Sequence, residues 1–280
     1  MKAMKIITVF ILLSVLTPGR LLAQTEAKDQ GKDQLKESLT VPLSDPAKPF
    51  KIVARVMYSS LKVVGYEGKE IVINVTGKER PRESSSSGGM RRIGGNAGGD
   101  VTAEEDNNTV TINTGLSHFS LLEIKVPQSS GKFELGAVNG GEIVVDNVSG
   151  QLEITNVNGS VFARNIAGSV VANSVNGEVN VAFRSVDPQA PMAFSTLNGK
   201  IDVTFPASVK ANVKLKAERG DIYTDFDVDV TKGQPTATKD NEGHMYRVTI
   251  DDWVLGKIGG GGPEMMMKTS YGSIYIRKAK

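Results

Sequence analysis

Residues 141–183 read GEIVVDNVSGQLEITNVNGSVFARNIAGSVVANSVNGEVNVAF, and this stretch decides what the chain can be. It divides at glycine into GEIVVDNVS, GQLEITNVN, GSVFARNIA, GSVVANSVN and the opening of a further unit, GEVNVAF. Positions three, five and eight of every complete unit are apolar: Ile143, Val145 and Val148; Leu152, Ile154 and Val157; Val161, Ala163 and Ile166; Val170, Ala172 and Val175. Positions three and five alternate as a half-buried strand requires. The step to eight breaks the two-residue period, so a corner falls between. Units that each bury two short apolar stripes cannot make a core alone, and they must stack.

Turn chemistry sets the stacking. Corners read Val-Asn-Gly at Gly140, Gly159 and Gly177, and Val-Ser-Gly or Ile-Ala-Gly at Gly150 and Gly168 between them. Two nine-residue units therefore make one coil, with Asn corners along one edge and small-residue corners along the other. The Asn corner recurs at Gly199, in looser form at Gly220, and last at Gly272. Glycine supplies a positive φ that other residues resist, which predicts that conformation at Gly159 and Gly177. Asn can pair with the Asn one coil away. The alternative is an antiparallel meander with Asn-Gly hairpins, which gives no reason for Asn at position seven and an apolar residue at eight in successive units.

The rest of the chain extends this picture. Residues 1–23 have the make-up of a secretory signal: Lys2 and Lys5, an apolar run from Ile6 to Leu16, then Leu21, Leu22 and Ala23. That run is too short to span a bilayer, and a transmembrane segment is not expected elsewhere. The chain has no Cys, which removes a disulfide framework, thiolate metal ligands and a Cys nucleophile. Without Lys2, Lys5 and Arg20 the chain carries 30 basic and 31 acidic residues, a balance that gives no argument for nucleic acid. Residues 24–48 read as a flexible polar leader. Residues 49–280 read as one β-solenoid domain of about eight coils, about 40 Å long at the strand spacing of a sheet. Two insertions interrupt it, at 79–100, rich in Ser and Gly, and at 231–265. The loop from Glu83 to Gly99 is expected to be cut readily by protease.

The run from Phe133 to Val181 resembles the β-strand-repeat "putative adhesin" family of bacterial envelope proteins, DUF4097. APMAFSTLNGKIDVTFP, the strand after Gly220, and GGGGPEMMMKTSYGSIYIRK are similar too, as are VPLSDPAKP and GYEGKEIVINV near the start. The resemblance spans residues 41–280 and implies a parallel β-solenoid at the envelope, with no catalytic residues to carry over. Arg219 and Tyr271 stand where the family has Asn, which leaves the Asn ladder open for the last two coils.

No complete catalytic, cofactor or metal set can be assembled from the sequence. His118 and His244 are isolated and lack partners at metal-ligand spacing. Asp221, Asp225, Asp227 and Asp229 alternate along DIYTDFDVDV, which on one strand would put the last three on one face with Tyr223. Such a row could hold Ca²⁺ or line a groove for a sugar polymer. Carboxylates two apart lie about 7 Å from each other and would need ligands from the next coil, so a solvated strand face is the simpler reading. GGNAGGDVT matches one calcium-type Gly-Asp repeat, which alone cannot stack. Arg80, Arg82, Arg91 and Arg92 read as solubilising charge diluted by Glu79 and Glu83. Alternate members of Met265, Met266 and Met267 would face the core. Trp253, with Tyr246 and Val254, would pack the second insertion onto the flank or stack a sugar. Gly259 to Gly262 lacks the Lys and Ser/Thr of a phosphate loop and is a turn. The expected function is that of an exported, non-enzymatic, adhesin-like or scaffolding module. Its partner would be an envelope protein, a polysaccharide or a second copy of the chain. A polysaccharide-processing β-helix enzyme and an envelope-stress accessory protein are the alternatives.

Overall fold

In the computed structural model, residues 34–78, 101–114, 121–139, 141–232, 236–239, 246–249 and 253–280 are described. The signal segment, the 79–100 insertion, the Gly140 corner, His118 and His244 lie outside them. Every regular element among the described residues is a β-strand, so no helix there is long and apolar enough to cross a membrane. Strands group into a 20-stranded mixed sheet and a separate two-stranded one, Thr236–Lys239 with Tyr246–Thr249.

The large sheet is built from eight two-strand rungs. In chain order they are Phe50–Val56 with Ser60–Tyr66, Thr109–Thr114 with Leu121–Pro127, and Ser130–Ala137 with Ile143–Asp146. Next come Ser149–Asn158 with the first half of Val161–Asn176, then its second half with Val179–Val186. Met192–Asn198 with Ile201–Phe205, Ala211–Ala217 with Ile222–Thr224, and Glu264–Tyr271 with Ile274–Lys278 complete the set. First strands lie side by side as one wall and second strands as another, all parallel. Gly150 pairs with Gly168, and Ile154 with Ala172, a step of one repeat pair. The parallel pairing replaces the meander.

Rung order in space departs from rung order in the chain at both ends. The strand Phe50–Val56 sits between Thr109–Thr114 and Ser130–Ala137, so the first rung lies between the second and third. At the other end Glu264–Tyr271 lies between Met192–Asn198 and Ala211–Ala217, and Ile274–Lys278 lies between Ile201–Phe205 and Ile222–Thr224. The last rung of the chain is thus inserted between the sixth and seventh, giving the spatial order 2-1-3-4-5-6-8-7. Antiparallel strands cap the stack. Val101–Asp106 pairs with Thr109–Thr114 through a turn at Asn107 and Asn108, both with positive φ, the hairpin geometry of a two-residue loop. Ile71–Lys78 covers the second wall at that end, and Gln34–Val41, within the polar leader, pairs with it. At the far end Val254–Ile258, from the second insertion, covers the first wall and Val228–Lys232 covers it in turn.

Inward residues form one core. Ile143, Ile154, Val161, Val170 and Val179 are all essentially inaccessible, as positions three and five require. Met265 and Met267 are fully buried and Met266 is half-buried between them. Position eight behaves differently from the repeat pattern. Val148 and Ile166 are buried, whereas Val157 is half-buried and Val175 is 37% exposed. The reason lies one residue earlier. Asn147 and Asn165 adopt φ of 55° and 54°, turning the chain so that the next side chain points inward. In the other units the strand runs straight on, so position seven points inward and position eight outward. Asn156 and Ser174 are accordingly buried, and they donate to the carbonyls of Gly141 and Gly159 at 2.8 and 2.9 Å. Thr196 and Thr269 continue this column to Gly177 and Gly199, both at 2.8 Å.

The corner glycines also need correction. Gly150 and Gly168 have positive φ, but Gly159 and Gly177 do not. What demands glycine at these two is close stacking: a Cβ on Gly159 would lie 2.0 Å from the Gly141 carbonyl oxygen, and one on Gly177 2.3 Å from that of Gly159. The Asn edge itself is a ladder. Asn158 donates to Asn139, Asn176 to Asn158 and Asn198 to Asn176, each amide to the next, at 2.8, 2.9 and 2.7 Å. It ends at Tyr271, which pairs beside Asn198 and carries the Arg219 guanidinium 5.0 Å from its ring centre. A second amide contact, Asn165 to Asn147 at 3.0 Å, runs along the opposite edge, where Arg184 bonds Asn147, the Asn165 carbonyl and Ser149.

Candidate functional site

Outward residues at the C-terminal end of the second wall make the richest polar and aromatic cluster of the described surface. Three corner segments read Gly199-Lys200-Ile201-Asp202, Gly272-Ser273-Ile274-Tyr275 and Gly220-Asp221-Ile222-Tyr223, with the Ile of each turned inward. Parallel register then sets Asp202, Tyr275 and Tyr223 side by side on three successive strands. The rings of Tyr275 and Tyr223 stack with centres 5.1 Å apart and planes 13° apart. Arg277, two residues on, lies 5.2 Å from the Tyr275 ring centre and makes a bidentate bond to Asp202, Nε to Oδ1 at 2.6 Å and Nη2 to Oδ2 at 3.0 Å. The fork fixes the guanidinium plane beside the aromatic pair.

Tyr223 occupies the last strand of this wall, Ile222–Thr224, which among the described residues has a sheet partner on one side only. The residue is 49% exposed. Its hydroxyl donates to Asp221 Oδ2 at 3.1 Å, and that bond to a carboxylate holds the phenol above its ordinary range. Asp225 accepts from the Lys278 backbone N–H at 2.6 Å.

The acidic row of the sequence reading is not a row. The strand ends at Thr224 and the chain bends through 225–227, where Phe226 is buried under the Lys278 ammonium. Asp229 resumes on Val228–Lys232, which belongs with the first wall and sets it opposite Lys257. The two halves of the acidic stretch are thereby sent to different walls, and Val230 is 58% exposed. Among the described residues no group of three or more His, Asp or Glu side chains is placed to hold a metal ion.

Trp253 packs over the outward lysines of the seventh rung, with Lys214 Nζ at 4.8 Å and Lys216 Nζ at 5.8 Å from its ring centre. This is the contact expected of an insertion laid on the flank. The loop arginines Arg80, Arg82, Arg91 and Arg92 lie outside the described residues, and of Tyr246 only the backbone is described. A depression of about 280 Å³ at the other end is lined by Glu37, Ser38, Asn74 and Glu123 among others. Its polar groups satisfy one another: Ser38 donates to Asn74, and Asn74 and Lys62 donate to Glu123.

Sequence reasoning named Tyr223 and Asp221 but missed Tyr275, Arg277 and Asp202. Aligning the three Gly-x-Ile corners would have found the column, since the outward position follows Ile in each. The cluster offers aromatic faces, carboxylate acceptors and a guanidinium. Aromatic faces beside such groups are the usual furniture of a binding surface.

No curated protein matches the chain. Among solved structures, a "putative cell adhesion protein" from Clostridium sporogenes is 11% identical, with 88% of this chain and 100% of that one covered at a TM-score of 0.44. A "putative adhesin" from Bacteroides fragilis is also 11% identical, covering 89% of this chain and 98% of that one at 0.30. Likenesses this slight carry no argument about function. A family model matches most of the chain, over residues 21–252, and the chain belongs to that family, Toastrack DUF4097.

Proposed function

We propose that the protein is an exported, non-enzymatic β-solenoid, residues 49–280 with insertions at 79–100 and 231–265, that serves as an adhesin-like or scaffolding module of the bacterial cell envelope. Export rests on the composition of residues 1–23. The solenoid reading rests on the parallel, in-register stacking of the rungs, which makes long flat walls of outward side chains. The observation that carries the binding role is the stacked pair Tyr223 and Tyr275 with Arg277, Asp202 and Asp221, on a wall edge that no further strand covers among the described residues. The exposed Tyr223 ring, backed by Tyr275 and beside fixed hydrogen-bonding groups, suits the face of a sugar ring or the edge of a protein.

The test is a screen of the mature protein against envelope glycans and envelope proteins, with Tyr223→Ala and Arg277→Ala beside wild type. A ligand whose affinity falls about tenfold or more in Tyr223→Ala is expected, since losing one aromatic anchor costs about 1.4 kcal/mol or more. Release of shortened or unsaturated oligosaccharides above a heat-killed control would replace this reading with the enzyme one. Binding that both variants leave intact would move the site elsewhere.

A further inference from the structure

The residues that the repeat pattern assigns to the core but the fold turns outward form a second surface. Val138, Val157, Val175 and Leu197 occupy equivalent places on the first wall in the third to sixth rungs, and Met57 extends the line on the first rung. Met57 and Val138 are each 40% exposed, Val175 37% and Leu197 45%. On one side runs the amide ladder Asn139, Asn158, Asn176 and Asn198. On the other runs the column Gly136, Thr155, Asn173 and Ser195, where Ser195 donates to Asn173. All three columns are free of charge over four rungs. Elsewhere the outward columns carry ion pairs such as Lys51 with Glu134 and Lys62 with Glu123, in a chain that is 23% charged. A contiguous exposed apolar line without charge marks a contact surface.

We propose that this strip is the contact surface of a homodimer in which two copies pack wall to wall. The occupant follows from pitch and charge. An aliphatic side chain every 4.7–4.9 Å along a straight line is matched in step by another β-stack, and the protein itself carries one. A two-fold axis lying over the apolar line and parallel to the stack sets each Val or Leu against its own copy. It also sets the amide ladder of one copy against the Thr155, Asn173 and Ser195 column of the other, so amides meet hydroxyl and amide partners and no like charges face each other. A charged partner would lose hydration against this strip with nothing to replace it. The line from Val138 to Leu197 spans about 15 Å at the spacing of strands, so the contact is small and the dimer is concentration-dependent.

Sedimentation velocity on the mature chain between about 1 μM and about 1 mM, the span over which weak association is read, tests this. The expected result is a rising dimer fraction that disappears in a Val175→Lys, Leu197→Lys double variant of unchanged circular dichroism. Because the natural chain has no Cys, Val175→Cys with a short bis-maleimide supplies a second reading that needs no charge in the strip. A covalent dimer should form there and not with Thr204→Cys on the other wall. Monomer throughout the range, a dimer that survives the double variant, or equal cross-linking at Thr204→Cys would each overturn the proposal. Tyr223→Ala should leave the dimer unchanged, which separates failure of this contact from failure of the tyrosine site.

Discussion

The middle of the stack and its two ends are made of the same rungs, yet they are put together by different rules. From Ser130 to Phe205 each rung lies against its neighbours in the chain, about one repeat pair away, and corners, ladders and core columns all run in register. At both ends the chain skips a place. The second rung lies outside the first, and the slot between the sixth and seventh is filled by residues 264–278, the last rung of the chain. Proximity in the chain therefore builds the middle, whereas the ends close only when distant segments arrive.

The comparison can be broken most severely by removing the last rung. Deleting residues 264–280 leaves the edges of Met192–Asn198 and Ala211–Ala217 bare and exposes Phe194 and Phe205, now fully buried. Amide protection should be lost over residues 192–224 and kept over 143–186, as read by hydrogen exchange. Unchanged protection at 192–224 would mean that the inserted rung is an accessory and not a closure.

A smaller effect is expected within the middle. Gly159→Val puts a side chain where even a Cβ would meet the Gly141 carbonyl oxygen at 2.0 Å, and overpacking against backbone should cost about 3 kcal/mol or more. Asn158→Ala removes two exposed amide bonds of the ladder and should cost only about 1 kcal/mol. If urea midpoints place the two variants together, stacked carbonyls are not what requires glycine at this corner.

The smallest effect concerns pH and belongs to the N-terminal end. The Lys62 ammonium bonded to Glu123, helped by Asn74, holds that carboxyl below its ordinary range, and Lys51 does the same for Glu134. A carboxyl lowered in the folded state adds stability above its unfolded value, about 4.3, and loses it as pH falls through the folded value. Stability should therefore drop on acidification below about pH 4, with a shallower slope in Lys62→Met and a total loss smaller by about a few tenths of a kcal/mol, since the pair is partly exposed. An identical slope in the variant would remove Glu123 from the account.

Much of the candidate site was within reach of the sequence. Tyr223 and Asp221 stand in the segment it singled out, and the substitution of Tyr271 and Arg219 for Asn marked where the ladder ends. What it could not supply was the neighbour. Tyr275 stacks on Tyr223 because the last rung lies beside the seventh, and Asp202 reaches Arg277 because it also lies beside the sixth. The acidic alternation misled because a bend at 225–227 breaks the strand, and alternation does not show where a strand stops.

By itself the sequence determined the nine-residue unit, the parallel stacking of paired units, the inward positions three and five, the Asn edge and the family. These follow from side-chain alternation and turn chemistry, which act over a few residues and repeat. The tertiary structure alone decided the exchange of rungs at both ends, the outward turn of Val157 and Val175, the close glycine stacking at Gly159 and Gly177, and the company of Tyr223. Each depends on which strand lies alongside, and backbone hydrogen bonds at a sheet edge accept any strand of suitable length, so that choice is made by packing among distant segments.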